Sequence, residues 1–263
     1  MPYPSPITRR AFLASLGASL AALSVPPALT AHASAAFRMP TPPTLMLHTK
    51  DRWKLVRIAQ WLVENGYTGI TYRQLYEVMT SGGNLPARPI ILTIDDIGSH
   101  YIQPRFLEMA DVAEQAGFKG VFGVVTREPL SRKPEIWRVL RELDSRGWEM
   151  DSHSNTHSIL PSLKADDLRE EIVGSAKRLA DGIGRPPFAL IAPYGNVYER
   201  GDRFDLRIFE YAAEVGLKFV VGIAGGRSFD ATQPAPYYVG RVGVGTDQVQ
   251  TGWWIKNFYG RSR

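Results

Sequence analysis

Two histidines stand four residues apart in the stretch Asp-Ser-His-Ser-Asn-Thr-His-Ser at 151–158, and the whole chain holds only five. At that spacing His153 and His157 can share one face of a helical turn and aim their ring nitrogens at a single ion. Upstream, Asp95 and Asp96 follow the apolar run Pro-Ile-Ile-Leu-Thr-Ile. Adjacent carboxylates at a buried strand end lose hydration and repel each other, so a cation should balance them. Two imidazoles and one carboxylate, with further positions left to water and substrate, suit a divalent ion in a catalytic site: zinc, with cobalt or nickel as alternatives. The plainer reading is one helix-capping aspartate beside a solvated one, with the histidines in a loop. With no cysteine in the chain, thiolate ligands, cysteine nucleophiles and disulfides are excluded.

The elements that must position these residues follow from the hydropathy pattern. From Pro40 onward short apolar runs alternate with amphipathic segments, which is β-α alternation. The strand-like runs number about seven, and their nearly continuous hydrophobicity predicts an α/β fold, a parallel (β/α) barrel. Gly66, Gly117, Gly147 and Gly216 follow helical stretches where a left-handed cap is needed. On this map His48 ends the first strand, Asp95 and Asp96 the second, His153 the fourth and Pro193-Tyr194 the fifth. In parallel barrels those carboxyl ends converge on one face, so the four segments are expected at one mouth. His48 in that place is either a polar residue closing a buried strand or an acid–base group. His100 falls in the loop after the aspartates and has no assigned role.

Thr-Ile-Asp-Asp (93–96), His-Ser-Asn-Thr-His (153–157) and Ala-Pro-Tyr-Gly (192–195), in that order, resemble the motifs of the polysaccharide deacetylases of the NodB-homology group, carbohydrate esterase family 4. The resemblance spans about residues 44–245. It implies a distorted (β/α) barrel that removes acetyl groups from sugar polymers, most often from N-acetylglucosamine units, by water activated at a metal ion. Carried over by position, Asp96, His153 and His157 are the implied metal ligands and Asp95 the general base. Pro193 and Tyr194 are implied as oxyanion or substrate residues: the backbone N–H of Tyr194, after the rigid Pro193, stabilises the oxyanion, and its ring either packs or meets substrate.

The family's usual acid histidine near the C-terminus is absent, because no histidine follows His157. Leu-Met-Leu-His (45–48), residues 64–77 and the approach to the aspartates at 85–96 resemble a circularly permuted branch acting on poly-β-1,6-N-acetylglucosamine. That branch carries its acid histidine first, which implies the role for His48. Ile94 and Ile97 stand where the family usually has Phe and Gly. Ile191 occupies the place of an arginine that orients the base, and Arg241 either supplies that charge or pairs at the barrel rim with another acid. Trp253 and Trp254 either stack on sugars or pack against the domain.

The N-terminal 35 residues read as a cleaved signal peptide: Arg9 and Arg10, an apolar run from Ala11 to Val25, then Ala33-Ser34-Ala35. The paired arginines resemble a twin-arginine signal, so the protein is expected to be exported to a bacterial periplasm, envelope or exterior. The apolar run is too short for a membrane span, and no transmembrane segment is expected in the mature chain, residues 36–263. Cleavage takes two of the 31 basic residues and none of the 26 acidic ones, so the net charge falls from +5 to +3. With no long basic run, nucleic acid is not an expected partner; acetylated polysaccharide is. Two rivals stand beside the N-deacetylase reading: an O-acetyl esterase on xylan or another envelope polymer, and a non-catalytic carbohydrate-binding protein of the same fold.

Overall fold

Seven runs of β-branched and aliphatic residues form parallel strands that close on themselves. In chain order they are β1 (Thr44–His48), β2 (Pro89–Ile97), β3 (Val121–Val124), β4 (Glu149–Ser152), β5 (Ala189–Ile191), β6 (Phe219–Ile223) and β7 (Tyr237–Gly243). Each of β2 to β6 pairs with its successor, and β1 pairs with both β7 and β2, so the expected barrel is present. The computed structural model describes residues 38–39, 41–98, 105–127, 134–199, 203–223, 229–230 and 234–260, all within one compact unit, Ala36–Arg263. The expected signal peptide and His100 lie outside the described residues.

The helices are α1 (Arg52–Glu64), α2 (Tyr72–Ser81), α3 (Arg105–Gln115), α4 (Pro134–Ser145), α5 (Ala165–Arg169), α6 (Ser175–Ile183), α7 (Leu206–Glu214) and α8 (Gln248–Tyr259). A π-helical segment, Glu170–Gly174, joins α5 to α6. The glycines expected to stop helices, 66, 117, 147 and 216, all have positive φ. Among the described residues no helix is long and apolar enough to cross a membrane.

Side chains alternate between the barrel interior and the helix layer, as strand geometry requires. Outward-facing Leu45, Leu47, Leu92, Ile94, Phe122 and Met150 pack with residues of α1, α3 and α4 such as Leu55, Met109 and Leu140. Leu190 and Val220 pack with Leu168, Ile172 and Ile208 on the other side. The interior holds Ile91, Val121, Ala189, Ile191, Phe219, Val221 and Val239, together with Tyr72 and Leu75 from α2. α2 is fixed at its start twice over. Thr71 and Gln74 form a capping box, and the buried Glu149 carboxylate accepts from Tyr72 N–H and Arg73 N–H. Burial pushes the Glu149 pKa well up, with the nearby Asp151 adding to the effect.

Candidate metal and catalytic site

The second strand does not stop before the aspartates; it runs through them to Ile97. Ile94 pairs with Phe122 and Ile97 with Val124, so β2 spends one residue more than β3 over that interval. This is a β-bulge, and Asp96 within it has a φ of 68°. In a regular strand consecutive side chains point to opposite faces. Here the extra residue and the left-handed Asp96 bring both carboxylates to the same site.

Asp95 is buried and held from across the barrel. Arg241 Nη1, itself fully buried on β7, donates to Asp95 Oδ1 at 2.9 Å and Oδ2 at 2.8 Å, and to Thr93 Oγ1 at 2.7 Å. Thus Arg241 faces Asp95 and is no rim residue paired elsewhere. β3 passes close behind through Gly123, where a Cβ would lie 3.2 Å from Asp95 Oδ1.

Asp96 meets the two histidines. Its Oδ1 lies 3.5 Å from His153 Nε2 and 3.2 Å from His157 Nε2, and one ligand atom from each of the three residues falls within 4.8 Å of the others. Burial raises the Asp96 pKa, but hydrogen bonds from His153 and His157 and the charges of His153 and His48 outweigh it and hold the carboxyl well below its usual range. His153 Nδ1 is 2.7 Å from Ile191 O and can only donate there, which fixes the tautomer and leaves Nε2 directed at Asp96. Ile191 O owes its position partly to Asp151, whose Oδ1 accepts from Phe188 N–H and Ala189 N–H and seats β5 against β4. Two nitrogens and one carboxylate oxygen, close together and with a fixed tautomer, are a donor set that fits a divalent ion such as zinc.

The histidines do not sit on a helical turn, as their spacing had suggested. Residues 153–158 are a loop in which Ser154 and His157 both have a φ of 64°. Hydrogen bonds along β3 fix its first half, His153 N–H to Val124 O, Thr126 N–H to Ser154 O and Arg127 N–H to Asn155 O, while Ser154 Oγ accepts from His157 N–H. The Glu171 carboxylate, from the π segment, accepts from the N–H groups of Asn155 and Thr156. Left-handed backbone at two non-glycine residues is costly and persists where surrounding bonds over-determine it.

His48 enters from β1, in register with Asp95. Its Nδ1 lies 3.3 Å from Asp51 Oδ2, and the same oxygen accepts from His48 N–H at 2.9 Å. The hydrogen bond to Asp51 raises the His48 pKa; burial lowers it, and the charges of Asp95 and Asp96 raise it again, leaving it above the ordinary histidine value. Burial opposes ionisation of Asp51, but bonds from His48 and Lys54 keep its carboxyl well below the usual range. Asp51 and Glu171 were not singled out in the sequence. The His-x-x-Asp spacing just past a strand end is the signal for the first; nothing in the sequence marks Glu171, since it depends on the π segment.

Pro193 is buried in a short turn, and Tyr194, with φ of 56°, is 61% exposed, its ring 4.8 Å from the His157 ring. Trp254 stacks on Phe258 within the helix layer, whereas Trp253 is exposed on α8. The structure therefore gathers His48, Asp95, Asp96, His153, His157, Tyr194 and Arg241 at one barrel mouth.

A family model described as polysaccharide deacetylase matches residues 82–220, more than half the chain. The match includes both aspartates, both ligand histidines and Pro193-Tyr194; His48 and Arg241 lie outside it. Among solved structures, the chain is similar to a de-N-acetylase from Aggregatibacter actinomycetemcomitans, with 18% identity over 82% of this chain and 98% of that one, and a TM-score of 0.64. It is also similar to the Streptococcus pyogenes deacetylase PplD in complex with acetate, with 17% identity over 78% and 93% of the chains and a TM-score of 0.62. IcaB from Ammonifex degensii matches at 17% identity over 82% and 96%, with a TM-score of 0.58. At these identities the likeness speaks to the fold. No curated protein matches the chain.

Proposed function

The chain belongs to the polysaccharide deacetylase family, and from that premise we propose that it is a metal-dependent hydrolase removing N-acetyl groups from N-acetylglucosamine-containing polysaccharide. The observation that carries the reading is the separation of roles at the mouth. Asp96, His153 and His157 bring their ligand atoms together, while the neighbouring Asp95 pairs with Arg241 at 2.8 Å. A divalent ion held there, zinc or else cobalt or nickel, supplies Lewis acidity, which makes water more acidic and polarises the acetyl carbonyl.

The chain's own groups do the rest. Asp95, oriented by two contacts from Arg241 Nη1, takes the proton of the attacking water. The Tyr194 amide faces the developing oxyanion, and the exposed Tyr194 ring offers a sugar a surface beside His157. His48 protonates the departing amine. An amide needs that acid more than an ester does, because an amine leaves poorly without a proton. The Asp51 contact, which keeps His48 protonated above the ordinary histidine range, therefore favours N-deacetylation over O-acetyl ester hydrolysis. The permuted order, with the acid histidine on the first barrel strand, supports a poly-β-1,6-N-acetylglucosamine-type substrate. The paired arginines at residues 9 and 10 support twin-arginine export to the periplasm or envelope, with cleavage after residue 35.

Acetate release from β-1,6- and β-1,4-linked N-acetylglucosamine oligomers, compared with acetylated xylan, tests the reading. Release from an amide substrate is expected. Release from xylan alone would replace the reading with an esterase, and ion binding without release from any of the three would favour a carbohydrate-binding protein.

A further inference from the structure

The loop between the two histidine ligands is held by a device on the neighbouring helix. Between α5 and α6 the π segment Glu170–Gly174 buries three consecutive residues, Glu171, Ile172 and Val173, which a regular α-helical face does not do. π turns of this kind are rare and concentrate at functional sites. Glu171 is 6% exposed and points at the loop. Its Oε2 accepts from Asn155 N–H at 3.0 Å and Thr156 N–H at 2.9 Å, and its Oε1 accepts from the Thr156 hydroxyl. The adjacent Glu170 works on the same loop indirectly: it binds Arg178, whose Nη1 donates to Asn155 Oδ1 at 2.9 Å. Gly174 leaves the room for this, because a Cβ there would lie 2.5 Å from Glu170 Oε2.

Residues 155 and 156 are the two between left-handed Ser154 and left-handed His157. Fixing their N–H groups on one carboxylate forces the chain to turn back at 154 and again at 157. That double turn is what aims His153 Nε2 and His157 Nε2 at the same Asp96 oxygen. We propose that Glu171 is a positioning residue of the metal centre, setting the spacing of the two histidine ligands through the backbone between them. The proposal rests on the metal-centre reading of Asp96, His153 and His157 and adds to it a residue that touches neither ion nor substrate.

The test is a cobalt(II) titration of the full mature chain, followed by visible absorption and by competition with a chelator, alongside thermal unfolding of the metal-free protein. Glu171→Ala is expected to weaken cobalt binding by about 10–100-fold and to alter the absorption band. Glu171→Gln, whose amide oxygen can still accept from both N–H groups and whose NH₂ can donate to the Thr156 hydroxyl, is expected to stay within about threefold of the parent. Thr156→Val, at an exposed position that leaves folding intact, removes one of the three bonds and is expected to cost a few-fold. Wild-type cobalt affinity and spectrum in folded Glu171→Ala, or an equal loss in Glu171→Ala and Glu171→Gln, would overturn the proposal. If Glu171→Ala does not fold, wild-type binding by Thr156→Val would overturn it. No cobalt binding by the parent chain would instead overturn the metal-centre reading itself.

Discussion

Replacing Arg241 by methionine removes the guanidinium that faces Asp95 from across the barrel while keeping most of the buried volume. Both partners are at most 2% exposed in their side chains, and Nη1 sits 2.8 and 2.9 Å from the two carboxylate oxygens. Breaking such a pair from one side leaves a buried charge without compensation, which costs about 3–5 kcal/mol. For a domain of this size, with about 2–4 °C of Tm per kcal/mol, the metal-free protein should melt roughly 6–20 °C lower. Asp95→Asn should destabilise by a similar route, leaving the guanidinium unpaired. The double variant loses both charges together, so it should recover much of the loss, with a coupling energy of at least about 2 kcal/mol. Urea and thermal unfolding of the four proteins measure this directly. Strict additivity of the two single losses, within about 0.5 kcal/mol, would refute the argument that Arg241 and Asp95 form one buried unit.

Other consequences concern the acid and the walls of the site. His48→Ala should bind the ion as the parent does but hydrolyse an amide substrate roughly 10²–10⁴-fold more slowly, with a smaller loss on an ester; unchanged amide turnover would remove His48 from the mechanism. The raised His48 pKa keeps the acid protonated past the ordinary histidine value, so the alkaline limb of kcat should lie above it. In Asp51→Asn the leading cause of that rise is gone, and the limb should move to lower pH; a profile that does not move would show that Asp51 leaves the acid alone. The Asp51 contribution of the same pair to stability is complete above the unfolded carboxylate value and is lost as pH falls towards the depressed one, and the His48 contribution is lost as pH rises through the raised His48 pKa. Gly123→Ala would place a Cβ 3.2 Å from Asp95 Oδ1 and 3.4 Å from Ile191 Cδ1. It should lower kcat several-fold at unchanged ion affinity, and a matching loss of ion affinity would mean that the strain reaches the ligands instead.

Much of the architecture is written in the strand pattern, because a fully buried parallel strand must be apolar along its length. The seven runs all appear as strands, and four of them carry a site residue at the end facing the mouth. What the pattern could not reveal is local backbone geometry. Asp95 and Asp96 share a site because of a bulge, which depends on register against β3 and leaves no mark in the β2 residues themselves. The His-x-x-x-His spacing suggested a helical turn, yet the same proximity arises from a loop with two left-handed residues, which side-chain and strand bonds hold in place. Arg241 lies 146 positions from Asp95, and only closure of the barrel decides that it faces the base. The C-terminal segment containing Trp253 and Trp254 had no assigned element; it is α8, capped by Asp247, with Trp254 packed inward. Glu171 is the extreme case, since its role depends on a π turn that sequence periodicity smooths over.

The most direct test of the central claim is acetate release from an N-acetylglucosamine oligomer as the metal-stripped mature chain is titrated with zinc, cobalt or nickel, with His153→Ala as the control. The account predicts negligible release from the stripped protein, activity that rises to a plateau near one ion per chain, and no recovery in His153→Ala. Release that is indifferent to chelation, or full recovery in the variant lacking His153, would contradict it.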